Sequence, residues 1–183
     1  MKTFQLIRMW FTFRQFFEVP FYRLMGKKIV HFIHIPKTGG TSLKIAFMSF
    51  GRKTKSHYIC LHGHGYRISD IPRKDMGIVI VRDEADRLQS AYRQRKWKAE
   101  NYGKIKRTLI GITPLDDIEI ANGYTSAYIP QEWYFSGGED RIVYRMNTEA
   151  LDEQFPILKQ CLGIPPWVKL GHYNKRKDSV CSK

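Results

Sequence analysis

Apolar and polar positions repeat one pattern three times along the chain. Residues 29–35 are β-branched or aromatic with little polarity, as a strand buried on both faces requires. A tight turn follows. Leu43, Ala46, Phe47 and Phe50 then fall at i, i+3, i+4 and i+7, one face of a helix that Gly51 ends. The second unit predicts a strand at 77–81 and a helix from about Glu84. The third predicts a strand at 141–145, a cap at Asn147, a helix face of Leu151, Phe155, Leu158 and Leu162, and Gly163 at its end. A short strand is expected at 57–61, while 99–130 mixes helix, loop and turn signals and predicts no topology. Strands alternating with helices mean an α/β fold, a mostly parallel sheet with flanking helices. The 183 residues suffice for one domain with a sizeable core, so a single domain is expected.

Composition changes this picture first at the N-terminus. Residues 1–28 are dense in Phe, Trp, Leu and Met, yet Arg8, Arg14, Glu18 and Arg23 interrupt every apolar run. A membrane span needs about 18 or more mostly apolar residues, and a signal peptide needs an unbroken apolar centre with a small-residue cleavage site. Neither pattern is present. Because Pro20 breaks the run and the apolar positions do not resolve onto one face, the expectation is an arm or helix whose aromatic face covers the domain of residues 29–183. The alternative is an interfacial helix in peripheral contact with a membrane.

Charge adds a partner class. Lys and Arg number 31 against 17 Asp and Glu, a net +14, and such a field attracts polyanions: nucleic acid, anionic lipid, acidic glycans or a multiply phosphorylated cofactor. Cys60, Cys161 and Cys181 form no C-x-x-C pair, so neither a disulfide framework nor a zinc site is suggested, and a reducing, cytoplasmic setting is expected.

The first strand runs into Pro-Lys-Thr-Gly-Gly-Thr-Ser, residues 36–42. The ATP-binding loop G-x-x-x-x-G-K-[ST] places its lysine last, whereas Lys37 stands before the glycines. Gly39 and Gly40 let the chain turn and present N–H groups to an anion, and Thr41 and Ser42 add hydroxyls at a helix N-terminus, where the dipole favours negative charge. The plainer reading is an ordinary strand-to-helix turn capped by Thr41; the lysine beside three hydroxyl residues favours an oxyanion site.

At these residues the chain resembles a family. The stretch IPKTGGTS is similar to the 5′-phosphosulfate loop of sulfotransferases that use 3′-phosphoadenosine 5′-phosphosulfate (PAPS), in particular the carbohydrate-modifying, heparan-sulfate 2-O or uronyl type. IVIVRDEADRLQSAYR, residues 78–93, is similar to that family's 3′-phosphate element. The resemblance covers roughly residues 29–163 and implies a P-loop-like sulfotransferase fold, with PAPS as donor and 3′-phosphoadenosine 5′-phosphate as product. It implies that Lys37, Thr38, Gly39, Gly40, Thr41 and Ser42 hold the 5′ end and that Arg82 and Ser90 hold the 3′-phosphate. The segment GHYNKRK resembles the late part that closes over the nucleotide, through Asn174, Lys175 and Arg176. Glu84 departs from the proline that relatives carry at that helix start; a carboxylate in a first turn is acceptable there.

The reaction so implied needs positive charge on the bridging oxygen, a role for Lys37, and a base for the acceptor hydroxyl. His62-Gly63-His64 resembles the uronyl enzymes' histidine pair, which makes His64 the base; a neutral imidazole suits the task. His62 is a candidate for holding substrate or orienting its partner, and Asp70 is the carboxylate to consider should His64 not serve. Two histidines one apart without a third ligand do not predict a metal. The basic and aromatic run 93–107 offers Arg93, Arg95 and Trp97, with Tyr102 beyond, to an acidic glycan, though the same run would suit a nucleic-acid backbone. The acceptor is expected to be a hydroxyl of a carbohydrate or related metabolite, and no specific nucleic acid is expected. The competing readings are a nucleotide kinase or NTPase with an atypical loop, for which Asp83 is the one candidate metal carboxylate, and a non-enzymatic nucleic-acid binder.

Overall fold

The computed structural model describes residues 16–101 and 127–171, the side chains at 95 and 97–101 excepted. Strands β1 (Lys28–Ile33), β2 (His57–Leu61), β3 (Met76–Val81) and β4 (Ile142–Asn147) form one sheet in the order β2-β1-β3-β4, every neighbouring pair parallel. Phe32 stands opposite Leu61 on one side and Ile78 on the other, so β1 is flanked by both neighbours along its length. Parallel strands need long crossovers, and helices α2 (Gly40–Ser49), α3 (Glu84–Asn101) and α5 (Leu151–Leu162) lie in them or follow the last strand; α4 (Glu132–Phe135) is a single turn.

Alternation along the strands sends successive side chains to opposite faces. Val30, Phe32, Ile59, Leu61, Ile78, Ile80 and Met146 share one face with Leu43, Ala46 and Phe47 of α2 and Leu151, Phe155, Leu158 and Leu162 of α5. Phe32 and Phe47 meet edge to face at 5.8 Å, and each such ring contributes about 1.5–3 kcal/mol by its burial. The other face is covered in two parts. Ile33 and Val79 pack with Ile68, Ile71, Tyr134 and Phe135, while Ile29, Tyr58 and Cys60 pack under Val19 and Tyr22 of a helix spanning residues 16–24, here α1. Tyr22 stacks on Tyr58 at 4.4 Å.

Several local expectations shift. The first strand stops at Ile33 instead of 35, and the last extends to Asn147, so Asn147 is a strand residue. Its Oδ1 accepts from the Glu149 N–H at 3.2 Å, which closes the turn before α5; the α5 N-cap position is Ala150. Gly163 ends α5 as expected, in the left-handed conformation, its N–H reaching back to Gln160 and Lys159. Phe50 is the C-cap residue of α2, half-buried beside Phe47.

The N-terminal segment differs most. Over residues 16–25 the helix covers the sheet through Val19 and Tyr22, and its other aromatic residues turn out. Glu18, Val19, Tyr22 and Arg23 point inward, where Glu18 receives Arg52 and the Tyr58 hydroxyl, and Arg23 makes two bonds of 2.7 and 2.6 Å to Asp75. Phe16, Phe17, Phe21, Leu24 and Met25 are exposed.

Candidate functional site

Strand order reverses between β1 and β3, and in an open parallel sheet the crevice at the carboxyl end of such a pair is where ligands sit. A cavity of about 710 Å³ opens there. Its lining is drawn from the segments after all four strands: Lys37 and Gly39 to Ser42 after β1, His64 after β2, Arg82, Ser90 and Gln94 after β3, and Thr148, Glu149 and Asp152 after β4.

The first turn is shaped by two backbone and one packing constraint. Lys37 (φ 69°) and Gly39 (φ 80°) are left-handed; the glycine adopts this freely, the lysine at about 1–2 kcal/mol. Gly40 is glycine for a different reason. A Cβ built on it would lie 2.7 Å from Nε2 of His34, whose ring fills that space. The Lys37 ammonium sits 3.3 Å from Oε1 of Gln94, which bridges the first turn to α3. Thr38 is fully buried; its hydroxyl donates to the Ile35 carbonyl at 2.9 Å and its own carbonyl accepts from the Thr148 hydroxyl at 2.9 Å. The Thr38 hydroxyl therefore braces the turn and does not line the cavity, a correction to its reading as a ligand contact. α2 begins at Gly40 without a side-chain cap, and a helix leaves its first N–H groups without intrahelical partners.

Arg82 is fixed through its backbone: Gln131 Oε1 accepts from its N–H at 3.2 Å and Gln131 Nε2 donates to its carbonyl at 2.7 Å. Its Nε lies 3.4 Å from Oε1 of Glu149, an ion pair without hydrogen-bond geometry. The charge facing this donor is thus a half-exposed carboxylate held loosely. Asp83, the candidate metal carboxylate of the kinase reading, is exposed at the start of α3. Its Oδ1 accepts from the Asp86 N–H at 3.0 Å and its carbonyl from the Arg87 N–H at 2.9 Å, which makes it the cap of α3. Arg87, fully buried, grips both Glu84 oxygens and the Ala127 and Ile129 carbonyls, and so ties α3 to the segment that carries Gln131.

His64 reaches the cavity with its tautomer set. Its Nδ1 is 3.1 Å from the His34 carbonyl, which only accepts, so Nδ1 carries the hydrogen and Nε2 the lone pair of the neutral ring. The His34 ring stands 4.3 Å from that of His64. Burial, with help from the charges of Lys44 and His64, pushes His34 down to about 2, so it stays neutral and does not compete for a proton.

His62 is turned away from the cavity, a second correction. Its Nε2 meets Nδ1 of His31 at 2.8 Å, and Nε2 of His31 lies 3.1 Å from the Asp75 carboxylate. Burial would raise the Asp75 carboxyl, but hydrogen bonds from His31 and Arg23 outweigh it and hold the group below its ordinary value. With Asp75 ionised, His31 donates from Nε2, and its Nδ1 shares one hydrogen with Nε2 of His62. Burial, then the charge of His31, pushes His62 down to about 3. The line Arg23, Asp75, His31, His62 is a satisfied polar spine through an apolar face.

Of the other expected residues, Arg93 is exposed and outside the lining, and Asp70 caps a short 3-10 turn by accepting from the Arg67 N–H at 2.8 Å. The Arg95 and Trp97 side chains, Tyr102, Asn174, Lys175 and Arg176 lie outside the described residues. Sequence reasoning missed His31, His34, Gln94, Glu149 and Asp152. The signal for the two histidines was their presence in an otherwise apolar strand. No family model, curated protein or solved structure matches the chain, so the roles of these residues rest on their own geometry.

Proposed function

We propose that the chain is a sulfotransferase with a P-loop-like sulfotransferase fold, moving a sulfuryl group from PAPS to an acceptor hydroxyl by in-line displacement. The observation that carries this reading is the convergence of Lys37, the 39–42 turn, His64, Arg82 and Ser90, drawn from three separate strand ends, on one cavity. When bound, the donor supplies an activated sulfuryl group on a phosphate leaving group. The turn at Gly39–Ser42 offers N–H and hydroxyl donors to the 5′-phosphate, and Lys37 brings a positive charge beside it. Arg82 and Ser90, one strand away, serve the 3′-phosphate, and their shared place in the cavity lining supports that assignment. His64 takes the acceptor's proton at Nε2, with Nδ1 pinned to the His34 carbonyl. Glu149 stands against the guanidinium in the present arrangement and is half exposed, so it yields to a phosphate at small cost. A carbohydrate or related hydroxyl metabolite is the proposed acceptor.

The test is thermal unfolding with 3′-phosphoadenosine 5′-phosphate and with the analogue lacking the 3′-phosphate. The first should raise the midpoint and the second much less, because binding to the native state alone stabilises by mass action. No shift with the bisphosphate would remove the reading, and stabilisation by magnesium and ATP instead would redirect it to phosphoryl transfer. Incubation with PAPS and a panel of acceptors, scanned by mass for sulfate addition, then identifies the acceptor.

A further inference from the structure

Surface helices normally bury their apolar stripe and turn charge to water. α1 does so only through Val19 and Tyr22. Its inward residues include Glu18 and Arg23, both engaged in ion pairs, and its outward residues are Phe16, Phe17, Pro20, Phe21, Leu24 and, in the turn that follows, Met25. Phe17, Phe21 and Leu24 stand at i, i+4 and i+7, so they share one face. They are 58, 55 and 89% exposed, and the outward arc carries no polar side chain. An apolar patch of this continuity marks a docking surface.

The surroundings specify the occupant. Lys27, just past α1, donates to the Thr54 and Lys55 carbonyls, and Arg52 bonds Glu18, which together put the 52–55 segment beside the helix; Arg23 bonds Asp75, which puts the 73–75 loop there too. These loops expose Lys53, Lys55, Arg73 and Lys74, and their one carboxylate, Asp75, is buried beneath Arg23. Residues 1–15 add Lys2, Arg8 and Arg14 in sequence, again without a carboxylate. Aromatic and aliphatic residues framed by uncompensated cations fit the interface of an anionic bilayer, where rings enter the acyl boundary and cations meet headgroups. Among the described residues no helix is long and apolar enough to cross a membrane.

We propose that the outward face of α1, with the 53–55 and 73–75 loops, is a membrane-docking surface for anionic lipid, whatever the cavity binds. α1 covers Ile29 and Tyr58, near the amino ends of β1 and β2, whereas the cavity is at the carboxyl ends. Docking therefore leaves the cavity facing away from the lipid.

The test is flotation of the full chain with phosphatidylcholine vesicles, with and without phosphatidylserine. Wild type should float with the anionic vesicles and lose binding as salt rises. A Phe21→Ser/Leu24→Ser variant should lose about 100-fold or more in partitioning, since each side chain leaves an apolar phase, while its melting point is unchanged. Lys55→Glu/Arg73→Glu/Lys74→Glu should reduce binding to anionic vesicles alone. Hydrogen exchange on wild type needs no variant: residues 16–25 should gain protection with anionic vesicles. Equal flotation of the serine variant would reassign binding to diffuse charge, and absent flotation or unchanged exchange overturns the proposal. So does a wild-type dimer that the serine variant splits, which would make a second copy the occupant.

Discussion

Acid should unfold this protein through two histidines. As the pH falls from about 7.5 to about 5, an unfolded histidine takes up a proton near pH 6.5. In the folded chain His34 resists protonation until about 2 and His62 until about 3. The unfolded state therefore binds more protons throughout this window, and stability, complete above about 6.5, falls as the pH drops. At about pH 5 each site forfeits ~2 kcal/mol, so the pair removes ~4 kcal/mol, a large part of a typical 5–15 kcal/mol total. His57, also lowered by burial, acts in the same direction, whereas the Asp75 shift is felt only below its ordinary 3.8 and lies outside the window. Urea unfolding at the two pH values measures the loss. With a slope of about 2 kcal/mol per molar, the midpoint should fall by about 2 M at constant slope. His62→Gln keeps a donor toward His31 and should halve the drop. A loss under about 1 kcal/mol, or an undiminished one in His34→Gln/His62→Gln, would refute the assignment of the buried rings as the acid-labile groups.

His64→Ala should abolish transfer yet bind 3′-phosphoadenosine 5′-phosphate nearly as well as wild type; calorimetry beside the mass assay separates the two. Lys37→Gly relieves a left-handed lysine, so its unfolding free energy should hold or rise by up to ~1 kcal/mol while nucleotide affinity falls, which opposes stability to function at one position. Glu149→Gln removes a carboxylate competing for Arg82 and should tighten nucleotide binding about two- to fivefold by titration. Gly40→Ala should cost about 1–3 kcal/mol by thermal or urea melt, and His34→Ala in the same chain should return part of it by vacating the space.

Much of the architecture was legible because it is written in local runs. β2 was placed to the residue, and the apolar stretches of β1 and β3 fell within a residue or two except where β1 leaves the sheet before His34. Lys37, Arg82, Ser90 and His64 were legible as residues that follow strands. What escaped was set by partners far off in the chain. Thr38 was read as a ligand contact because its bonds to Ile35 and Thr148 belong to the folded turn. His31 and His62 owe their roles to Asp75, which no spacing announces. No single apolar face could be read for α1 for the same reason: Glu18 and Arg23 turn inward because Arg52 and Asp75 meet them there. Asn147 resembled a cap because strand and helix share the turn that it closes.

The adjacency of β1 and β3 also bears on how the chain acquires its cavity. β1, α2 and β2 are neighbours in sequence and contain the glycine turn, but Arg82 and Ser90 arrive only when β3 docks on the far side of β1. Parallel pairings across such separations form late, after loop-closure entropy has been overcome. If the cavity holds the two phosphates proposed above, a nascent or fragmented chain ending after β2 would present one phosphate cradle with no second pole. Ligand capture during refolding would lag the first helical signal, and a bisphosphate nucleotide would serve as a kinetic reporter of the completed sheet.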